Sequence, residues 1–141
     1  MSAKAIREYH GKKLLARWIS DYSAGAHNVE DRVVQVKAES LDATKFEIIA
    51  QENPWLLSTK LVVKPDQLIK RRGKAGLLAI NKTWEEVQQW ILERAGKEIQ
   101  VETVHGILDT FIVEPFVPHE ATDEYYMCIS VSRNQCAFIT S

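Results

Sequence analysis

Lys64 closes the apolar run "KLVV" and is followed by Pro65, then by the basic, glycine-containing stretch "IKRRGKAG", before the chain turns apolar again at "LLAI". An ammonium at the end of an apolar strand needs something to point at: a carboxylate, a carbonyl or a phosphate. Gly73 and Gly76 can free the backbone for close approach to a ligand, and exposed N–H groups in such a turn attract anions. Arg71, Arg72 and Lys74 add charge around it. The stretch has neither G-x-x-x-x-G-K-[ST] nor G-x-G-x-x-G, so it is not one of the two familiar phosphate loops. By local composition a solvated turn is the first reading, with a phosphate grip and a nucleic-acid patch as alternatives.

A second candidate is "FIVEPFVPHEATDEYY", Phe111 to Tyr126. A nucleotide base often lies against a short extended connector, where backbone groups meet the adenine edge and apolar side chains flank its faces. Glu114 to Val117 could form that connector, with Pro115 removing a donor and fixing the path. Glu124 could accept hydrogen bonds from ribose hydroxyls. The competing reading is an edge strand broken by Pro115 and Pro118. Other chemistry finds less support: His10, His27, His105 and His119 have no metal-ligand spacing among themselves or with Cys128 and Cys136, and no nucleophile elbow is present. The two cysteines could face one another in a terminal hairpin, but they read better as free thiols packed as small hydrophobes. The tryptophans at 18, 55, 84 and 90 read as core or half-buried residues.

The elements that must position these groups follow from periodicity. Residues 5–22 place Ile6, Leu14, Leu15, Trp18 and Ile19 at helical spacings, with Gly11 weakening the first half. "SAGAHNVED" is a polar loop, and "RVVQVKA" alternates as a strand. A short helix is predicted from Asp42, ending before Pro54. Strands are predicted to end at Lys64 and to cover "GLLAI" at 76–80. Thr83 and Glu86 have the spacing of a capping box for a helix through Trp84, Val87, Ile91 and Leu92, stopped by Gly96. Strands follow at 99–104, 107–117, 125–131 and 137–140, the last two joined by "SRNQ". Helices intermixed with strands that run in direct succession at the end predict an α+β fold.

With 141 residues, 45% apolar and 26% charged, the chain has the composition of one globular domain, and its net charge of -1 provides no global field for nucleic acid or acidic membranes. "MSAKAIREYHGKKLL" has charges scattered through every would-be apolar run, and no apolar stretch approaches the roughly 20 residues of a membrane span. A cytoplasmic location without nucleic-acid or membrane partners is the expectation.

Taken together, "MSAKAI", "PWLLSTKLVVKPDQLIKRRGKAGLLAIN" and "FIVEPFVPHEATDEYY" resemble the N-terminal part of the ATP-citrate lyase family. More distantly, the same frame is similar to the β subunit of succinyl-CoA synthetases. The resemblance implies the first subdomain of an ATP-grasp fold spanning residues 1–141: a mixed or antiparallel sheet with flanking helices, incomplete at the C-terminus. It implies ATP as ligand, Lys64 on the phosphates, and Arg72 and Gly73 in the phosphate-covering loop. Pro115 and Val117 would meet the adenine with Glu114 beside them, and Glu124 would lie near the ribose. Magnesium ligands, the coenzyme A domain, the phosphorylated histidine and the citrate-cleaving domain belong to parts of the family's enzymes that lie beyond Ser141. The expected role is therefore the ATP-binding portion of an enzyme that makes acetyl-CoA and oxaloacetate from citrate, coenzyme A and ATP. Its expected partner is the remainder of that enzyme. The alternative is a non-catalytic nucleotide-binding or interaction fragment that associates with a full-length homologue.

Overall fold

A computed structural model describes residues 6–67, 72, 75–101, 104–123, 127–132 and 135–140. The first helix, α1, runs Glu8–Tyr22, and β1 is Val34–Lys37. Helix α2, Ala43–Glu52, starts where the Asp42 side chain accepts from the Lys45 N–H and gives way to a 3-10 turn at Pro54–Leu57. Strand β2 is Leu61–Pro65, β3 is Ala79–Lys82, and α3 is Trp84–Leu92. Two hairpin strands, β4 (Glu98–Val101) and β5 (Val104–Ile107), precede β6 (Thr110–Pro115), and a second hairpin pairs β7 (Met127–Ser132) with β8 (Gln135–Thr140).

Four strands form the sheet that carries the core, in the order β1-β6-β2-β3, and each pairing in it is antiparallel. Because side chains alternate across a strand, the sheet has two distinct faces. Leu61, Val63, Phe111, Val113, Val34 and Val36 point into one buried cluster with Phe46 and Ala50 of α2 and Trp84, Val87 and Ile91 of α3. Phe46 meets Trp84 edge-on, as Phe111 meets Trp90. The other face presents Val62 and Lys64 of β2 and their register partners Glu114 and Ile112 of β6. The capping box is formed as expected, with Glu86 N–H donating to Thr83 Oγ1 and Thr83 N–H to the Glu86 carboxylate.

Helix α1 is held on that second face by polar contacts rather than by an apolar stripe. It has no buried residue, and Trp18 is 40% exposed, so this tryptophan is not a core residue. Asp66 is fully buried, and it accepts from the Tyr9 N–H in the first turn of α1 and from Gln35 Nε2. Placed at the helix N-terminus, this carboxylate satisfies an orphan donor and the helix dipole, a task the N-cap residue Arg7 does not perform with its own side chain.

Several boundaries differ from the sequence expectation; in place of one strand at 99–104, β4 (Glu98–Val101) pairs antiparallel with β5 (Val104–Ile107). Strand β3 begins later than 76 because Leu77 is buried while its N–H still donates to the Arg72 carbonyl. Helix α3 ends at Leu92, four residues before Gly96, whose N–H donates to the Leu108 carbonyl. The long strand expected at 107–117 breaks because Leu108 turns into the core and its N–H donates to the Lys97 carbonyl. In the last hairpin Cys128 is registered with Ile139 and Cys136 with Val131, so the cysteines are not cross-strand partners.

Candidate functional site

The alternation that buries Leu61, Val63 and Pro65 places Lys64 on the α1 face, where its ammonium points at two carboxylates. Lys64 Nζ lies 2.7 Å from Glu8 Oε1 and 2.8 Å from Glu114 Oε1. Glu8 belongs to the first turn of α1, and its second oxygen is 2.6 Å from Arg72 Nη2. Arg72 is steadied by a bond of 2.7 Å from Nη1 to the Pro65 carbonyl. Lys12, one turn after Glu8, is 3.1 Å from Glu8 Oε1 and also pairs with Glu114. Three cations therefore share two carboxylates, all of them partly withdrawn from solvent.

Burial pushes the Glu8 carboxyl up, but the hydrogen bond and charge of Lys64, the hydrogen bond from Arg72 and the charge of Lys12 outweigh it and hold the pKa at about 2. Burial opposes the charge on Lys12 as well, yet Glu114 and Glu8 raise its pKa above the ordinary lysine value. A carboxyl whose pKa falls on folding contributes stability that is complete above its unfolded value near 4.5 and is lost as pH falls toward about 2. Lys12 has the opposite sign: its contribution is complete below 10.5 and is lost as pH rises from there through its raised value. Urea denaturation of the wild type and of Glu8→Gln should differ by about 1–2 kcal/mol at pH 7, allowing for the part of the side chain that faces water, and the difference should shrink toward pH 3. A difference that does not change with pH would show that the Glu8 charge does not hold α1 on the sheet.

Beside this cluster lies a cavity of about 720 Å³. Lys12, Lys64 and Glu114 line its charged end, Val62, Leu78 and Ile80 its apolar side, and Pro115 to His119 its connector. The connector is tied back by the Phe116 N–H, which donates to the Lys60 carbonyl at 2.7 Å, and by His119 Nδ1, 2.9 Å from the Val117 carbonyl. At the rim, Arg32 pairs with Glu30 and holds its carboxyl down to about 2.

Of the residues singled out from sequence, the structure brings Lys64, Glu114, Pro115 and Val117 into one cavity and links Arg72 to Lys64 through Glu8. Gly73 and Glu124 lie outside the described residues. Glu114 directs its carboxylate at the two lysines, so its side chain belongs to the charged end of the cavity. Sequence reasoning missed Glu8 and Lys12. Their four-residue spacing in "EYHGK" was the available signal for a charged helix face.

The chain superposes on the ATP citrate lyase of Methanothrix soehngenii, solved in complex with citrate and coenzyme A, with a TM-score of 0.84 and 37% identity over 99% of this chain and 32% of that one. It therefore has the α+β architecture of an ATP-grasp portion. Residues 2–140 match the family of the ATP-citrate synthase ATP-grasp domain, and the chain belongs to that family. It is 44% identical to the probable ATP-citrate synthase subunit 2 of Schizosaccharomyces pombe, over 94% of this chain and 32% of the relative. To the ATP-citrate synthase of Homo sapiens it is 45% identical, over 94% of this chain and 12% of the relative. The chain thus spans about a third or less of the length of these relatives.

Proposed function

We propose that this chain binds ATP in the Lys64 cavity and serves as the nucleotide-binding N-terminal ATP-grasp subdomain, residues 1–141, of an ATP-citrate lyase. The observation that carries this reading is the convergence of Lys64, Glu114, Pro115 and Val117 on a single cavity of about 720 Å³, within the size range of small-molecule sites. The adenine lies along the connector from Pro115 to Val117, against Val62, Leu78 and Ile80. The polyphosphate runs toward Lys64 and Arg72. Gly73 covers the phosphates and Glu124 takes the ribose, both on the family resemblance. The parent reaction is the ATP-driven conversion of citrate and coenzyme A to acetyl-CoA and oxaloacetate, in line with the names of the relatives, which give ATP and citrate; a cytoplasmic location follows from the family resemblance alone.

ATP-grasp chemistry implies magnesium, and the described residues do not fit a magnesium site of their own. Among the described residues no group of histidine, cysteine and acidic side chains could hold a metal ion. Glu114 at the charged end of the cavity and Glu8 beside it are already engaged by lysine and arginine. On the family resemblance the chain binds and orients the nucleotide, and the groups that complete turnover are supplied by the further length that its relatives carry. The exposed stripe of Leu14, Leu15, Trp18 and Tyr22 on α1 supports packing against that remainder. Among the described residues no helix is long and apolar enough to cross a membrane.

Calorimetric titration with ATP tests the site. Ile80→Asp, at an exposed position in the apolar wall, should weaken binding several-fold. Leu57→Asp, on the separate surface beside Trp84, should leave it unchanged. Equal losses in both would exclude the Lys64 cavity as the nucleotide site.

A further inference from the structure

The two cations assigned to the polyphosphate are already bridged by one carboxylate. Glu8 Oε1 is 2.7 Å from Lys64 Nζ, and Glu8 Oε2 is 2.6 Å from Arg72 Nη2. A carboxylate and a phosphate offer the same kind of two-oxygen edge to an ammonium and a guanidinium, so Glu8 satisfies them as a ligand oxygen pair would. Three details distinguish this contact from a fixed structural pair. Glu8 stands on a helix with no buried residue, whereas Glu114, the other partner of Lys64, is built into the central strand β6. Lys64 would remain held by Glu114 if Glu8 withdrew. Glu8 in turn has Lys12 at 3.1 Å on its own helix, so withdrawal would not leave its charge unpaired.

We infer that Glu8 is a resident anion of the polyphosphate site: it bridges Lys64 and Arg72 and releases at least one of them when phosphate oxygens arrive. This rests on the assignment of Lys64 and Arg72 to the phosphates. It makes Glu8 a specificity-determining residue, because a ligand must bring enough negative charge to displace a carboxylate. An uncharged glutamine of the same shape competes less for the two cations, and the gain is greatest for a ligand that carries several phosphates.

The test uses inorganic tripolyphosphate, pyrophosphate and phosphate, titrated calorimetrically into the wild-type chain, Glu8→Gln and Glu8→Asp. Glu8→Gln should bind tripolyphosphate about three- to ten-fold more tightly, with a smaller gain for pyrophosphate and the smallest for phosphate, while Glu8→Asp stays near wild type. Unchanged or weaker binding by Glu8→Gln would overturn the inference and make Glu8 a structural partner of the cations. An independent readout needs no variant: the carboxyl carbon resonance of Glu8 in the wild-type chain should move on saturation with tripolyphosphate, and a stationary resonance overturns the inference equally. Adenosine and ATP, titrated in parallel, separate this from the nucleotide reading. If Glu8→Gln tightens tripolyphosphate while adenosine and ATP fail to bind, Glu8 is the resident anion of an anion site and the ATP assignment fails. If ATP binds in a Lys64-dependent way and Glu8→Gln changes nothing, only the Glu8 inference fails.

Discussion

Lys64→Ala is expected to weaken ATP binding by about ten- to a hundred-fold, the loss that follows from removing one charge-assisted hydrogen bond of about 1.5–3 kcal/mol. The substitution also changes the balance of the cluster. With Lys64 present, three cations face two carboxylates; without it, Lys12 and Arg72 only match Glu8 and Glu114. The incoming phosphates then lose both a donor and the local positive excess. The fold should survive, because Glu114 keeps Lys12 and Glu8 keeps both Lys12 and Arg72. Circular dichroism and calorimetry on the same samples separate the two effects. Lys70→Ala, in the basic stretch that reads as solvated, should change ATP affinity little. Equal losses at Lys64 and Lys70 would indicate a diffuse basic patch in place of a site.

Phe111→Ala should destabilise the fold by about 3–5 kcal/mol, a large fraction of the stability of a single domain. Phe111 has no exposed surface, sits in the central strand β6, and is registered with Val36 on one side and Pro65 on the other. Its ring meets Trp90 edge-on at 5.9 Å, which joins the sheet to α3. Truncation would remove the transfer energy of the ring, that aromatic pair, and the packing that keeps β2 and β6 in register. At roughly 2–4 °C per kcal/mol for a chain of this size, thermal melting should fall by about 6–20 °C. A fall of only a few degrees would mean that the interior around β6 collapses onto the space the ring leaves.

The elements that the sequence revealed best are those with a local cause. The capping box at Thr83 and Glu86 is set within four residues, and it forms as its spacing predicts. The alternation of Leu61, Val63 and Pro65 against Val62 and Lys64 is equally local, and it is what aims the ammonium at the α1 face. Helix α1 was legible as a helix from its spacing, but the reason for its placement was not. Its anchors are Asp66, Lys64, Arg72 and Glu114, at separations of more than fifty residues in the chain, and no periodicity encodes such pairs. The same limit applies to Glu8 and Lys12, which look like ordinary surface charges until β2 and β6 are brought together beneath them. The strand expected at 107–117 failed for a different reason: Leu108 continues an apolar run, yet burial draws it out of the strand path toward the core.

The cavity and its connector carry the claim that this chain binds a nucleotide, and photolabelling with 8-azido-ATP addresses that claim most directly. Peptide mapping of the labelled chain should find the adduct within Glu114–His119, with labelling saturable, prevented by excess ATP and strongly reduced in Lys64→Ala. Adducts confined to the surface around Glu47 and Trp84, or labelling that never saturates, would contradict nucleotide binding in the Lys64 cavity.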